Sequence, residues 1–556
     1  MVWLLNDVYH VEHRAYFMSE KKMELTPLKI RSHGASSVMH YDGQYTPYIE
    51  MTGLLPFVQL VSWSTPNLNA ATVTALIDCW RPETHSFHLR TGEMTVTLQD
   101  VSMITALPIE GKPLCMSTDS KVWRHQMEAL IGMSPQEPEV EDGGKKDRVP
   151  DGATFTWIAA NFAHCPEDAD DEVIQRYARV YMWYVISRTI FADGTCKNAP
   201  WMWLKALTVF DSKFSWGSAA LAYLYRQLDD ACRRMTKDGG VGGCMFLLSW
   251  DLVSEVASKV NLLYKQYTNE MDSLTPEQVE WEPYGVGTNF GDAHTFQLNP
   301  LCVQERHLWL MRCPLICNWA VEFHLPHRVM RQFGYFQPHP PEWVDTDTQL
   351  HRLDRRRQRK IKDWQKHHKS YVVMFEQSVH ATSSIQRTEY RQHCALAFSN
   401  YLRWFQESTR VEICPPAYEE DILEEPTEYD ALAQGGYSKL IREGYQTSFA
   451  PVLNFVAADD MMLKAFQRSA YMLKPRKEFK RYSPDDYAKG KNPVAGGSHL
   501  SRMRSMDDEV EDDDDDESDD PEQFVVARKK KLAFKRGRGP NRFGVGVALV
   551  ELNYLL

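Results

Sequence analysis

Four features are missing from this chain, and each absence closes off a class of protein. There is no dense cysteine framework. Eleven cysteines, an odd number, are scattered from Cys79 to Cys414 in 556 residues, whereas small secreted domains staple themselves with closely spaced pairs. No uninterrupted apolar run approaches the roughly 20 residues a membrane helix requires, so no membrane association is expected. The opening stretch, MVWLLNDVYHVEHR, has no basic n-region ahead of a long apolar core and does not read as a signal peptide. No internal repeat of about 20–50 residues is visible, which argues against a solenoid. The expectation is a soluble, intracellular protein with reduced thiols.

The usual motifs of catalysis are missing too. A phosphate-binding loop needs GxxxxGK[ST], or GxGxxG between a strand and a helix. The nearest match is GVGTNFG, with Gly285, Gly287 and Gly291. Its third glycine falls one residue late, and EWEPY before it is no buried strand. GGVGG (239–243) reads as a flexible loop. CPLIC offers Cys313 and Cys317 near Cys302, His307 and His324, but structural zinc normally takes two tight ligand pairs. On a helix, positions 313 and 317 would share an apolar face, so buried cysteines are the expected reading. There is no HExxH and no G-x-S-x-G nucleophile elbow. Asp345 and Asp347 in DTD follow PPEWV, a setting that suits a turn better than a Mg²⁺ site. No catalytic residue, metal ligand or cofactor is expected.

What is present is core material. Hydrophobic residues make up 43% of the chain and aromatics 12%, with 16 tryptophans. That is enough apolar surface for a large globular body. The formal net charge of -12 is uneven: 13 of the 16 residues from Asp507 to Glu522 are acidic, and 8 of the 15 from Arg528 to Arg542 are Lys or Arg. The strong fields therefore belong to the tail.

Helical spacing dominates the rest. NLNAATVTALIDCWRP places Val73, Leu76, Ile77 and Trp80 on one helical face ahead of Pro82. Phe87 and Leu89 alternate with polar neighbours as in a strand, Thr91-Gly92 offers a turn, and Met94 and Val96 alternate again. Thr97 and Asp100 resemble a capping box for a helix bearing Leu98, Val101 and Ile104, stopped at Pro108. DEVIQRYARVYMWYVISRTIF carries a broad apolar stripe through Val173, Tyr177, Val180, Tyr181, Tyr184 and Val185, as in a helix buried on most sides. FSWGSAALAYLYRQLDDAC has Ser215 at an N-cap position. A last packed helix falls in HCALAFSNYLRWFQESTRVEICPPAY, and residues 134–152 form a linker by composition.

Two basic segments could bind partners. Residues 352–369 carry nine Lys or Arg in eighteen positions, with Trp364, Tyr371 and Phe375 close by. Arg352, Arg355, Arg356, Arg357, Arg359, Lys360 and Lys362 are the candidates for neutralising nucleic-acid phosphates, beside aromatics able to stack on bases. A solvated outer helix face explains the same pattern without a ligand. Arg528, Lys529, Lys530, Lys531, Lys535, Arg536 and Arg538 form the kind of cluster that nuclear import receptors read.

The order of motifs resembles a known family. The stretch ALIDCWRPETHSFHLRTGEMTVTLQDVSMITALPIEGKPLC, then FSWGSAALAYLYRQL, HRVMRQFG, KDWQKHHKSYV and YLRWF, is similar to the plant mobile domain over about residues 40–410. That family is also catalogued as aminotransferase-like and includes the maintenance-of-meristems proteins. The resemblance implies a nuclear protein acting in transposon silencing, control of gene expression and meristem maintenance. It implies protein partners, among them a phosphoprotein-phosphatase-like protein, with nucleic acid or chromatin as a further partner class. The family also occurs inside transposable elements. It supplies no established catalytic residue to carry over. An aminotransferase would need a Schiff-base lysine beside a phosphate cup, and no strand-flanked lysine with such a cup is recognisable. Alternatives are a direct DNA- or RNA-binding protein using 352–369, and a divergent transposon-derived enzyme.

The expected fold is mainly α: a large helical domain with one or two small β-hairpins and a disordered charged C-terminal tail. The expected organisation is an irregular lead-in (1–40), the helical domain (41–415), a polar extension (416–500) and the tail (501–556). The hairpin unit at 87–115 is expected to fix the fold while leaving its turns open to a partner.

Overall fold

The lead-in is partly helical, not irregular. In the computed structural model of the chain, Asp7–His10 and Arg14–Ser19 (α1) are short helices. His13 caps α1, its Nδ1 accepting from the Ala15 N–H at 3.0 Å. The cause is tertiary. Arg14 and Ala15 are buried, and the Leu4 N–H donates to the Ser408 carbonyl at 2.7 Å, tying this segment to the far end of the domain. The structure describes residues 4–5, 7–30, 39–63, 69–136, 151–194, 197–235, 240–248, 260–276, 279–282, 284, 300–340, 361–384, 391–413 and 543–544. The chain divides into two units, and the structural description that follows concerns the first, residues 1–256, 263–414 and 542–556.

Helix α2 (Ala70–Asp78) starts at Asn69, whose Oδ1 accepts from the N–H groups of Ala71 and Thr72, satisfying donors the first turn leaves open. The helix ends before Trp80. That residue opens β1 (Trp80–Arg81), which pairs antiparallel with β2 (Ser86–Leu89), and β2 pairs with β3 (Gly92–Met94). The register sets Trp80 against Phe87, Arg81 against Ser86, Phe87 against Met94 and His88 against Glu93. Gly92 takes φ +117° at the β2–β3 turn, an angle open to glycine at no steric cost. The capping box is formed in full, with Thr97 and Asp100 each satisfying the other's backbone, and it starts α3 (Leu98–Thr105). The helix stops at Ala106, in the left-handed conformation, ahead of Pro108.

The long helices follow. In α4 (Asp171–Arg188) the stripe is buried from Ala178 to Ser187, while the first turns stay partly open. Helix α5 (Trp216–Ala231) is buried along almost its whole length. Ser215 stands at its N-cap, but its hydroxyl donates to the Ile109 carbonyl at 2.6 Å instead of capping. CPLIC is a strand, not a helix. β4 (Cys313–Cys317) pairs with β5 (Ala320–His324) in a hairpin that turns at Asn318, φ +50°. Pro314 cannot donate to a helix ladder, and Ile316 and Val321 favour the pleated, buried setting. The hairpin lies against α5 and against α6 (Lys369–Ser384), and α7 (Ala395–Ser408) closes over β3.

The 240–243 glycines are packed, not flexible. Gly240–Val241 is a short strand paired with Lys29–Ile30, and a Cβ on Gly240 would stand 2.0 Å from the Gly194 carbonyl oxygen. Among the described residues no helix is long and apolar enough to cross a membrane. The described architecture is mainly α with small sheets. The glycines at 285, 287 and 291, the DTD motif, residues 351–360 and the basic tail lie outside the described residues.

Candidate functional site

The small sheet β1–β2–β3 divides its side chains by parity, since successive strand residues point to opposite faces. One face carries Trp80, Phe87, Leu89 and Met94. The other carries Arg81, Ser86, His88 and Glu93. A polar face would ordinarily look to solvent, yet all four of these residues are buried. They are covered by α7 and the chain after it: His88 packs edge-on against Phe405 with ring centroids 5.1 Å apart, and the Glu93 N–H donates to the Tyr401 hydroxyl at 3.3 Å. The hairpin turn is covered as well, because a Cβ on Gly92 would meet Tyr401 at 3.2 Å. Arg90 alone of the turn is exposed. The expectation that this turn is open to a partner therefore gives way.

Buried polar groups need partners, because desolvation is not otherwise offset. Glu93 accepts three hydrogen bonds from two partners: Arg328 grips it through Nε and Nη2 at 2.6 and 2.7 Å, and the Ser86 hydroxyl donates at 2.9 Å. His88 sits between Thr84 and Thr409 at 2.9 and 2.6 Å. Burial, then the nearby Arg81 charge, hold its imidazole well below the usual range. Arg81 differs from its neighbours. It is 2% exposed, and its Nε and Nη1 meet no hydrogen-bond partner among the described residues.

A second polar cluster lies on the Trp80 side. His85 is a non-glycine residue at φ +50°, an uncommon conformation that points to tertiary over-determination. Its Nδ1 donates to the Phe323 carbonyl at 3.1 Å, and its Nε2 lies 2.9 Å from Glu322 Oε2. Arg226 of α5 donates to Glu322 Oε1 at 2.5 Å. Asp229, one turn further along α5, accepts from the Trp80 indole N–H at 2.7 Å. Tyr225 stacks on the His85 ring at 5.1 Å and donates to the Val96 carbonyl at 2.6 Å.

Ligand atoms of His85, Asp229 and Glu322 lie within 4.8 Å of one another, the one such group of three among the described residues. The donor set suits a divalent cation poorly. Glu322 already balances the Arg226 guanidinium, and a dication beside that fixed positive charge would be repelled in a low-dielectric site. The cluster is built as an internal ion-pair network joining α5, β5 and the β1–β2 turn. A third network anchors the N-terminus: Arg14 donates to Asp78 at 2.7 Å, and Tyr264 donates to the other oxygen of the same carboxylate.

The cysteines and histidines read from sequence do not converge. Cys313 and Cys317 are buried on β4, where burial pushes both thiols up. His324 is fully engaged, its Nδ1 donating to the Met311 carbonyl at 2.7 Å and its Nε2 accepting from the Leu98 N–H at 3.3 Å. Of the seven basic candidates in 352–362, Lys362 is described. It is paired with Asp119 at 3.5 Å, and both side chains are well exposed. The other six, and the 528–538 cluster, lie outside the described residues. Sequence reasoning missed Arg81, Glu93, Arg226, Glu322 and Arg328. The available signal was charge placed inside otherwise apolar, strand-like or helical runs.

A mainly helical domain pinned by buried ion pairs across a small sheet is thus the class of protein here. The chain belongs to the plant mobile domain family, whose profile matches residues 56–251 and 241–406. Among curated proteins of Arabidopsis thaliana it is similar to Protein MAIN-LIKE 1 (31% identical, 52% of this chain and 58% of that protein) and to Protein MAINTENANCE OF MERISTEMS (30%, 50% and 59%). It is also similar to a serine/threonine-protein phosphatase 7 long form homolog (30%, 63% and 27%). The matches thus span between about a quarter and three fifths of these relatives' own lengths. No solved structure matches the chain.

Proposed function

We propose that this protein is a non-catalytic nuclear scaffold acting through protein partners in transposon silencing, control of gene expression and meristem maintenance. The observation that carries the non-catalytic part is the pairing of the buried chemistry. Glu93 with Arg328, Glu322 with Arg226 and His85, and Asp78 with Arg14 are each closed in fixed geometry. A turnover site needs groups free to meet a substrate and to change protonation there. The name of one relative, Protein MAINTENANCE OF MERISTEMS, supports the developmental role. That of another, named for a serine/threonine-protein phosphatase, supports a phosphatase-like protein as the partner class.

Nuclear entry is assigned to the basic cluster Arg528 to Arg538. The test is imaging of the fluorescently tagged full chain in plant cells. Replacing Lys529, Lys530, Lys531, Lys535 and Arg536 with Ala should shift the signal from nucleus to cytoplasm. A signal already cytoplasmic in the unaltered chain overturns the reading.

A further inference from the structure

We propose that the edge of the strand Val279–Glu280 is a strand-addition site, and that its ligand is the chain's own apolar segment opening at Phe543. The first contact of that pairing is direct. Phe543–Gly544 runs parallel to Val279–Glu280, with Phe543 opposite Val279 and Gly544 opposite Glu280. Among the described residues Val279–Glu280 forms no other strand pairing. The receiving stretch is fixed on the domain. Val279 and Trp281 are buried. The Trp281 indole N–H donates to the Pro276 carbonyl at 3.2 Å, its ring packs edge-on against Phe398 of α7 at 5.3 Å, and Arg331 lies over it at 5.4 Å. Arg331 in turn pairs with Glu282 at 2.6 Å. Backbone groups at a buried position need partners, and an edge held in place offers an extended ligand a ready row of main-chain donors and acceptors.

The sequence of the ligand suits an edge. Large and small residues alternate from Phe543 on: Phe543, Val545, Val547 and Leu549 against Gly544, Gly546 and Ala548. That is the period of a strand, with β-branched residues among the large ones. Of the fourteen residues from Phe543 to Leu556, Glu551 alone is charged. An apolar, β-prone segment left uncovered is an aggregation hazard, so it calls for a cover. The division of the chain agrees. Residues 542–556 belong to the first unit, as Val279–Glu280 does, although residues 415–541 before them belong to the second. A tethered ligand also meets its site at a raised effective concentration, which favours the segment of the same chain over that of a second copy.

The test uses the full chain, with hydrogen exchange read by mass spectrometry. Successive N–H groups of a strand point to opposite edges, so combining Phe543→Pro with Gly544→Pro removes the ladder donor whichever edge is used. The fragment 274–284 should exchange about tenfold faster in this variant, with α5 unchanged. A synthetic peptide of residues 541–552 should restore the slow exchange. Equal exchange in the variant and the unaltered chain overturns the proposal, and so does a faster exchange that the peptide leaves as it is. If the variant loosens α5 as well, photo-cross-linking decides. Phe543→p-benzoylphenylalanine, in an equal mixture of light and isotope-labelled full chains, should attach within one chain to 274–284. Attachment between a light and a heavy chain assigns the edge to a second copy and overturns the ligand proposed. Attachment elsewhere overturns the site.

Discussion

Arg328 holds Glu93 through two parallel hydrogen bonds of 2.6 and 2.7 Å, and the two residues are 235 positions apart in the chain. Both side chains are at most 2% exposed. The pair joins β3 to the turn beyond the β4–β5 hairpin, so one contact ties the first third of the domain to its last. Removing one partner leaves the other charge buried alone. Glu93→Gln or Arg328→Met should each cost about 3–5 kcal/mol, read as a fall in urea midpoint with unchanged m-value. The double variant should cost clearly less than the sum, because it removes both charges. Additive losses contradict the assigned coupling.

Histidine burial predicts an acid-sensitive fold. Burial holds His324 at about 4. The Leu98 N–H pointing at Nε2 leaves no place for a second ring proton. A pKa lowered in the folded state means that the unfolded chain takes up the proton first. The penalty is absent above pH 6.5 and grows as pH falls towards 4. Between pH 7 and 5 such a histidine costs about 2 kcal/mol of stability. His324→Gln should lower the slope of that part of the stability–pH profile by about one proton's share, the other buried histidines such as His88 and His368 supplying the rest. A wild-type profile that is level from pH 7 to 5 contradicts this.

Gly217 lies inside α5, where alanine would ordinarily be the better helix former by about 1 kcal/mol. A Cβ there would stand 2.8 Å from both Ile109 and Val101 side chains and 3.1 Å from the Leu107 carbonyl oxygen. Gly217→Ala should therefore destabilise by about 1–3 kcal/mol through overpacking, measured by chemical denaturation. A stabilised variant would show that α5 is free to move away from α3.

These cases also show how far the sequence was legible. The β2–β3 hairpin, the Thr97–Asp100 capping box and the α2 start are set by residues within a few positions of one another, so spacing reveals them. From sequence the β1 strand reads as helix because Trp80 falls at helical spacing from Ile77, and only the pairing with Phe87 pulls it out. Cys313 and Cys317 gave the same ambiguity, since four residues apart is one face of a helix and also one face of a strand. The ion pairs were invisible for a different reason. Arg14 finds Asp78, Arg226 finds Glu322 and Arg328 finds Glu93 across 64, 96 and 235 residues, and no local signal records such a meeting.

The basic segment at 352–362 gives a separate test. Its described member, Lys362, is engaged with Asp119. On the scaffold reading, DNA and RNA retention on a salt gradient should be unchanged when Arg355, Arg356 and Arg357 are replaced by Gln. A drop in the salt at which retention is lost would instead place a phosphate-contacting surface there.

The most direct measurement is affinity purification of the tagged full chain from plant nuclei, with bound proteins quantified against an untagged control. The account predicts enrichment of a phosphatase-like protein, and loss of that enrichment when Glu93→Gln loosens the domain. Recovery of the chain from nuclei with no phosphatase-like protein above the control level contradicts it.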